Sequence, residues 1–275
     1  MDMEIDEFLT RIGVKDASPT IFRVEERVAL DAEKLPVNGE AMNKLKGIRT
    51  HTNTEDRSVS VVGFIVYDKQ FPEQIFAIPS NDLRNVLAET ERIEITGSKL
   101  MGYGGSMNFA FNLQVMEKGK GLHLQYDNMP ITLVQDVIKR ILRIDSILDS
   151  ESVFVETDGK VAKITLQNKN GSTGNVIVAS DFPPFHARFE HRFVECLKLL
   201  GDNEATLNLD GYDPKREHKA HGLAKIELKD SNAIIDYYIN EITQKVQQEQ
   251  KKTTKKGKEE KETEESGKEA PPEGA

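Results

Sequence analysis

The sequence predicts an α+β protein built from two tandem domains of similar topology. Short segments of alternating apolar residues outnumber amphipathic helical segments, which indicates antiparallel sheets with few helices. One clear amphipathic helix occurs in the second half of the chain, within Met129–Leu148. A pattern of strand, short helix and two alternating strands occurs once in each half. Such a repeat indicates a duplicated domain rather than a solenoid.

The helix predicted within Met129–Leu148 has one apolar face and one small basic face. Its apolar side chains recur at steps of three and four residues, at Val134, Val137, Ile138, Ile141, Ile144 and Leu148. Asp136, Lys139, Arg140 and Arg143 lie on the opposite side. Thr132 is expected to cap the start of the helix. The basic face is therefore a candidate binding surface in an otherwise acidic protein.

The first half is predicted to contain short helices and several strands. Residues 1–18 form an amphipathic segment at helical spacing, and Thr20–Leu35 could be a strand or a helix, because its apolar residues follow neither period cleanly. A weak helix over Asn38–Ile48 would carry Lys44 and Lys46. The other elements are strands at Ser58–Tyr67, Gln74–Ile78, Arg92–Thr96 and Met107–Val115, and a helix over residues 81–90 capped by Ser80.

The second half is predicted to begin with a strand at Leu122–Tyr126, followed by the long helix. The turn pair Asp158-Gly159 predicts a hairpin between two strands. A short helix over His191–Leu200 should end at Gly201, a residue suited to a helix C-terminus. The strands of this half are predicted at Ser152–Thr157, Val161–Gln167, Asn175–Ser180, Phe185–Phe189, Ala205–Asp210, Gly222–Leu228 and Ala233–Ile242.

Domain boundaries follow from changes in composition. Residues 1–117 form the predicted N-terminal domain, of which residues 1–18 are an extension, and the polar residues 118–128 form a linker. Residues 129–246 form the C-terminal domain. Residues 247–275 are a Lys/Glu-rich tail without apolar residues to bury, which predicts disorder.

Composition limits the class of function. The formal net charge is −9, from 37 Lys and Arg against 46 Asp and Glu. A uniformly acidic surface would repel nucleic acid, so any DNA-binding function requires its cations to be concentrated on one surface. Cys196 is the only cysteine, and no segment has the length and apolarity of a membrane span. We expect a cytoplasmic protein that is nucleoid-associated or, in a eukaryotic host, nuclear.

The order of elements over Leu122–Ile242 resembles that of the DNA sliding clamps, the polymerase processivity factors that include PCNA and the bacteriophage clamps. The similar segments are the ITLVQDVIKRILRID helix, the SVFVETDGKVAKITL hairpin, the FHARFEHRFVECLKLLGDNEATLNLD unit and the final GLAKIELKDSNAIIDYYINEI. The final segment is similar to the Tyr-Tyr-Leu-Ala-Pro tail of the family but lacks its proline. The first domain matches over roughly Ser58–Val115.

The resemblance implies two clamp-like domains in a ring whose helices line a central hole and whose sheets lie outside. Such a ring encircles duplex DNA and contacts phosphates without reading sequence. Basic residues of the predicted lining helices would make these contacts: Lys44, Lys46, Arg84, Lys139, Arg140, Arg143, Arg192 and Lys198.

The resemblance also implies protein partners. Subunits would join through the edge strands that contain Phe109, Phe111, Leu113, Val176, Ile177 and Val178. DNA polymerase and other clients would bind near the linker, against Tyr237, Tyr238, Ile239 and Ile242. An ATP-dependent clamp loader is a further expected partner. The ring is expected to be a trimer, of identical or related subunits, and no cofactor or membrane contact is expected.

Other functions have weaker support in the sequence. GYGGS is followed by a strand, whereas a phosphate-binding loop would be followed by a helix and a lysine. Neither the set His186, His191 and Cys196 nor the pair His218 and His221 has the spacing of a metal site. No pair of carboxylates is isolated in an apolar setting, so an enzyme is not expected. The alternative is a β-rich scaffold or single-stranded-DNA-binding protein that forms no ring.

Overall fold

The structure, a computed structural model, describes residues 2–27, 45–105, 107–115, 130–157, 160–180, 185–210 and 223–241. Within these ranges the helices are α1 (Ile5–Ile12), α2 (Ser80–Glu89), α3 (Gln135–Leu148) and α4 (Arg192–Leu199). The strands of the first half are β1 (Thr20–Arg27), β2 (Leu45–Asn53), β3 (Val59–Val66), β4 (Phe76–Ile78), β5 (Arg92–Thr96), β6 (Lys99–Gly104), β7 (Met107–Asn112) and β8 (Gln114–Val115). Those of the second half are β9 (Pro130–Leu133), β10 (Ser152–Thr157), β11 (Val161–Gln167), β12 (Thr173–Ser180), β13 (Phe185–Glu190), β14 (Ala205–Asp210), β15 (Leu223–Lys229) and β16 (Ala233–Asn240).

The described strands form three antiparallel sheets, which confirms the predicted α+β class. A nine-stranded sheet has the order β8-β4-β1-β2-β3-β16-β15-β14-β9. A four-stranded sheet has the order β12-β11-β10-β13, and a three-stranded sheet has the order β5-β6-β7.

The two halves of the chain have the same strand order. In the first half, β4-β1-β2-β3 lie side by side after α1, and β5-β6-β7 follow α2. In the second half, β13-β10-β11-β12 lie side by side after α3, and β14-β15-β16 follow α4. By this correspondence β12 is the equivalent of β3, and β7 is the equivalent of β16.

The nine-stranded sheet is continuous because β3 of the first half pairs with β16 of the second. Seven residue pairs form this junction, among them Val61 opposite Tyr237 and Gly63 opposite Ile235. Gly63 is required here for space, since a Cβ at this position would lie 2.7 Å from the ring of Phe8. The close approach lets α1 pack on β3 next to the junction.

The four helices form one connected layer on the sheets. Helix α1 contacts α2, α4, β3 and β16, and α3 contacts α4 as well as β11 and β12. Helices α1 and α3 bury most of the apolar stripe that their sequences predict: Phe8, Leu9 and Ile12 in α1, and Ile138 and Ile141 in α3, are almost completely buried. Val134, which was predicted to belong to the stripe of α3, precedes the helix and is 40% exposed. The buried side chains belong to a single apolar core that extends through both halves.

Several predicted elements differ in type or extent. The segment from Thr20 is a strand as far as Arg27. Lys46 lies in strand β2 and not in a helix, because β2 pairs with both β1 and β3. Thr132 lies in β9, so the cap position of α3 falls to Val134, which makes no side-chain capping bond. Ser80 is the first residue of α2 rather than its cap.

Some predictions lie outside the described residues. They are Lys44, the strand at Leu122–Tyr126, the Asp158-Gly159 turn, Ile242, the linker over 118–128 and the tail over 247–275. The domain division at the linker therefore stays a prediction. Gly201 has the positive φ of +61° that its predicted place after α4 requires.

Candidate DNA-contacting surface and subunit edges

The basic face of α3 is exposed to solvent. Arg140 and Arg143 are exposed and lie three residues apart, on one side of the helix. Among the described residues, neither guanidinium has an ion-pair or hydrogen-bond partner. Lys139 is also exposed, and its Nζ lies 3.3 Å from Asp202 Oδ1. Both groups of that pair face solvent, so the pair costs little to open.

Lys198, by contrast, takes part in a contact between α3 and α4. Its Nζ lies 2.9 Å from Oδ2 of Asp145, a buried carboxylate in the last turns of α3. His191 Nε2 lies 3.1 Å from Asp145 Oδ1, and the Ser150 hydroxyl donates to the same oxygen. Burial alone would raise the pKa of Asp145, but these three hydrogen bonds outweigh burial and lower it. Lys198 therefore holds the two helices together.

Arg192 is committed to ion pairs at the start of α4. Its guanidinium donates to Asp16 Oδ2 and Glu195 Oε2, both at 2.8 Å, and little of the side chain is exposed. Burial alone would lower its pKa, but the hydrogen bonds with Asp16 and Glu195 raise it. Because Asp16 belongs to the first half, Arg192 joins the two halves of the chain. The structure thus gives Arg192 a structural position rather than the predicted place on an open basic face.

The remaining predicted DNA contacts are separated from the α3 face. Arg84 of α2 donates to Thr10 Oγ1 at 2.9 Å and lies 3.7 Å from Asp6, so it links α2 to α1. Lys46 projects from the nine-stranded sheet, with Nζ 3.9 Å from Glu73. The predicted set therefore does not form one surface, and only Lys139, Arg140 and Arg143 share an open face.

The two strands predicted to join subunits are edge strands. Strand β7 ends the three-stranded sheet and β12 ends the four-stranded sheet. On β7, the rings of Phe109 and Phe111 stack with centroids 6.5 Å apart and remain partly exposed. On β12, Ile177 is 66% exposed, Val178 is partly exposed and Val176 is buried. Leu113 follows β7 and is buried, so it belongs to the core of its own chain.

The sequence prediction missed one apolar residue near β12. Ile147, in the last turn of α3, is 73% exposed. Its neighbour Leu148 and nearby Ile144 pack on Gly174 of β12, which places this end of the helix beside the open strand. The sequence contained a signal for this residue, because Ile147 is apolar but lies outside the buried stripe of its helix.

The predicted client-binding segment is mostly inside the protein. Tyr237 is completely buried, and its hydroxyl donates to the backbone oxygen of Arg11 at 2.9 Å. Ile239 is also buried. Both side chains point into the core because they lie on the inward face of β16, so neither can serve as an exposed client contact. Tyr238 lies on the opposite face and is partly exposed, which leaves it as a candidate.

A cavity of about 290 Å³ lies between the end of α1 and α4. It is lined by Val14, Val59, Cys196 and Leu199, with Arg192 and Glu195 among its polar residues. Burial raises the pKa of the Cys196 thiol, so this cysteine is an inert core residue. Within the described ranges, no group of His, Cys, Asp and Glu side chains could hold a metal ion. No helix there has the length and apolarity needed to cross a membrane.

Solved structures with the same fold are clamps. The proliferating cellular nuclear antigen of Entamoeba histolytica has a TM-score of 0.56 and 14% identity, over 86% of this chain and 94% of that one. The PCNA of A. fulgidus, solved with the C-terminal region of FEN-1 bound, has a TM-score of 0.55 and 13% identity, over 87% of this chain and 95% of that one. The PCNA2–PCNA3 complex of Sulfolobus tokodaii gives a TM-score of 0.54 and 12% identity, over 87% and 97%.

The sequence matches no protein-family model and no curated protein sequence. The structural similarity nevertheless extends over most of this chain and almost all of each clamp chain. The protein therefore has the PCNA-like sliding-clamp fold, as the order of its elements predicted.

Proposed function

We propose that the protein is a DNA sliding clamp, a non-enzymatic processivity factor that encircles duplex DNA and tethers replication and repair enzymes. The observation that carries the proposal is the pairing of β3 with β16 inside the chain, while their equivalents β12 and β7 are both sheet edges. Neither edge has a second partner among the described strands, so a second junction of the same kind can form between different copies.

A contact between β12 of one copy and β7 of the next is heterologous. Such contacts repeat head to tail and close into a ring when the rotation between copies allows it. An edge strand with exposed apolar residues, such as Ile177, is an aggregation hazard unless a partner covers it. The ring proposed here is a trimer of identical or related subunits; a complex between two different PCNA subunits, PCNA2 and PCNA3, is among the structural neighbours.

The DNA contact is proposed for the open face of α3. Arg140, Arg143 and Lys139 present cations that can neutralise backbone phosphates, and such contacts do not depend on the DNA sequence. Such contacts suit a protein that moves along duplex DNA.

Client proteins and a loader complete the proposal. A structural neighbour is a PCNA with the C-terminal region of FEN-1 bound, and a comparable peptide contact is proposed here near the linker and Tyr238. An ATP-dependent loader is proposed to open the ring. The edge strands and the α3 face directly support the proposed ring and DNA contact. The proposed client proteins and loader rest on the likeness of fold alone.

The topological part of the proposal can be tested without a loader. The purified protein is mixed with a short linear duplex that carries biotin at both ends, and streptavidin is added either before or after the protein. A ring threads over open ends, so the protein should be excluded when streptavidin comes first and trapped when it comes second. Binding that is independent of the order of addition, or that prefers the corresponding single strand, would show a groove binder instead.

A further inference from the structure

The exposed charges of the helix layer differ between the two halves of the chain. On α1 and α2 the outward-facing charged side chains are mostly acidic: Glu4, Asp6, Glu7, Asp82 and Glu89. Arg84 is the one partly exposed base of these two helices, and it is held by Thr10 and Asp6. Arg11 is buried. The first half thus presents an acidic helix surface, which we call the α1–α2 face.

Two acids of the α1–α2 face are not neutralised by any described neighbour, whereas Asp6 pairs with Arg84 and Glu7 with Arg11. Asp82 and Glu89 are seven residues apart, which places them on one side of α2 two turns from each other. Neither carboxylate has an ion-pair or hydrogen-bond partner among the described residues. Both are therefore available to repel an approaching polyanion.

Helix α3 presents the opposite charge in the same layer. Arg140 and Arg143 are exposed and unpaired among the described residues, and the layer is continuous because α1 contacts α4 and α4 contacts α3. Charges at a surface act over about 8 Å at physiological ionic strength. Within about that distance of the protein surface, a DNA duplex is attracted by α3 and repelled by the α1–α2 face.

From this asymmetry we infer that each protomer contacts DNA phosphates through α3 alone, and that the acidic α1–α2 face keeps the duplex away from the first half. This inference rests on the proposed clamp function and adds a regulatory role for the acids. DNA would be held at a few points, one per protomer, and the acids would weaken that hold so that the protein moves easily along the duplex.

The test compares two pairs of neutralised acids by fluorescence anisotropy with a labelled open-ended duplex. The variant Asp82→Asn/Glu89→Gln removes two charges from the α1–α2 face. The control Glu55→Gln/Asp68→Asn removes two exposed charges that have no ion-pair partner among the described residues, from the connections on either side of β3 and outside the helix layer. We expect the first variant to bind on the order of four- to twenty-five-fold more tightly at low salt, since each of the two exposed charge interactions is worth a factor of about two to five. The control should bind like the wild type.

Charge reversal gives a second readout. The variant Asp82→Lys/Glu89→Lys should steepen the dependence of log affinity on log salt by about two, because each new phosphate contact adds about 0.9 to the slope. The variant Arg140→Glu/Arg143→Glu should remove most of the salt dependence of wild-type binding.

The outcomes separate this inference from the clamp function. If the wild type is trapped on the end-blocked duplex but the neutralised α2 variant binds no better than the control, the role of the acids is wrong and the clamp stands. Undiminished binding of the Arg140→Glu/Arg143→Glu variant would likewise overturn the role of α3 alone. If the wild type is not trapped at all, both proposals fail.

Discussion

At the scale of single residues, the surroundings of a charged side chain decide its role. Arg140 and Arg192 both belong to helices that were predicted to contact DNA. Arg140 faces solvent, whereas Arg192 is enclosed by Asp16 and Glu195. Both have the same formal charge, but only Arg140 can exchange solvent for a phosphate without breaking a hydrogen-bonded ion pair.

Asp145 gives a prediction at this scale. The variant Asp145→Asn should destabilise the protein by about 1–3 kcal/mol at neutral pH, because the donors of Ser150, His191 and Lys198 lose a buried acceptor charge. The exposed Asp149, which has a positive φ that Asn also tolerates, provides the control Asp149→Asn, expected to change stability by less than about 0.5 kcal/mol. Urea unfolding followed by circular dichroism measures both variants.

The same variant has a predicted pH dependence. Since the pKa of Asp145 is lowered in the folded protein, its contribution is complete above the ordinary Asp pKa of about 3.9 and is lost as the pH falls through the lowered value. The stability difference between wild type and Asp145→Asn should therefore shrink below about pH 3.9. A stability difference that stays constant as the pH falls below about 3.9 would contradict a lowered pKa for Asp145.

At the scale of elements, strand pairing distinguishes a strand inside a sheet from a strand at its edge, where another subunit could pair. Strand β16 pairs along both of its edges, with β15 and β3. Strand β12 has a comparable apolar sequence but pairs only with β11 among the described strands. Its exposed Ile177 is the apolar side chain of the strand that a second copy would cover.

The edge-strand contact predicts the behaviour of the variant Ile177→Lys. The lysine should leave the fold of the protomer intact, because position 177 is 66% exposed, and should shift the oligomer to monomers by placing a charge in the contact. Thr132→Lys is the matched control, since Thr132 is exposed on β9, an edge strand outside the proposed contact. Analytical ultracentrifugation gives the result. If both variants sediment like the wild type, β12 is not a subunit contact.

At the scale of the whole molecule, helix α4 is held at both ends by residues of the first half. At its start, Asp16 accepts from Arg192. At its end, the buried Arg11 of α1 donates to the carbonyl oxygens of Leu199, at 3.3 Å, and Leu200. These are among the last carbonyls of the helix, which have no partner within it. Together with the β3–β16 junction, the contacts make the folding of the two halves interdependent.

The variant Arg11→Met tests this coupling. Loss of the guanidinium leaves buried carbonyl oxygens unpaired and should cost about 2–3 kcal/mol, with one cooperative unfolding transition at a lower urea midpoint. Arg84→Met removes a partly exposed guanidinium from the same layer and should cost less than about 1 kcal/mol. Two separate transitions in the wild type, or no effect of Arg11→Met, would show that the halves fold independently.

The sequence by itself determined most elements of the second half, the buried positions of α3 and its exposed basic face around Arg140, because helical and strand periods are local properties of the chain. It predicted a helix where β2 lies and did not predict β6 or β9. It could not place Tyr237 in the core or Arg192 in an ion-pair network, because those positions depend on α1 and on turns far away in sequence. Likewise, only the tertiary structure decided that β3 and β16 pair while β12 and β7 remain edges. Strand pairing between distant segments depends on which surfaces the folded chain brings together, and no local pattern contains that information.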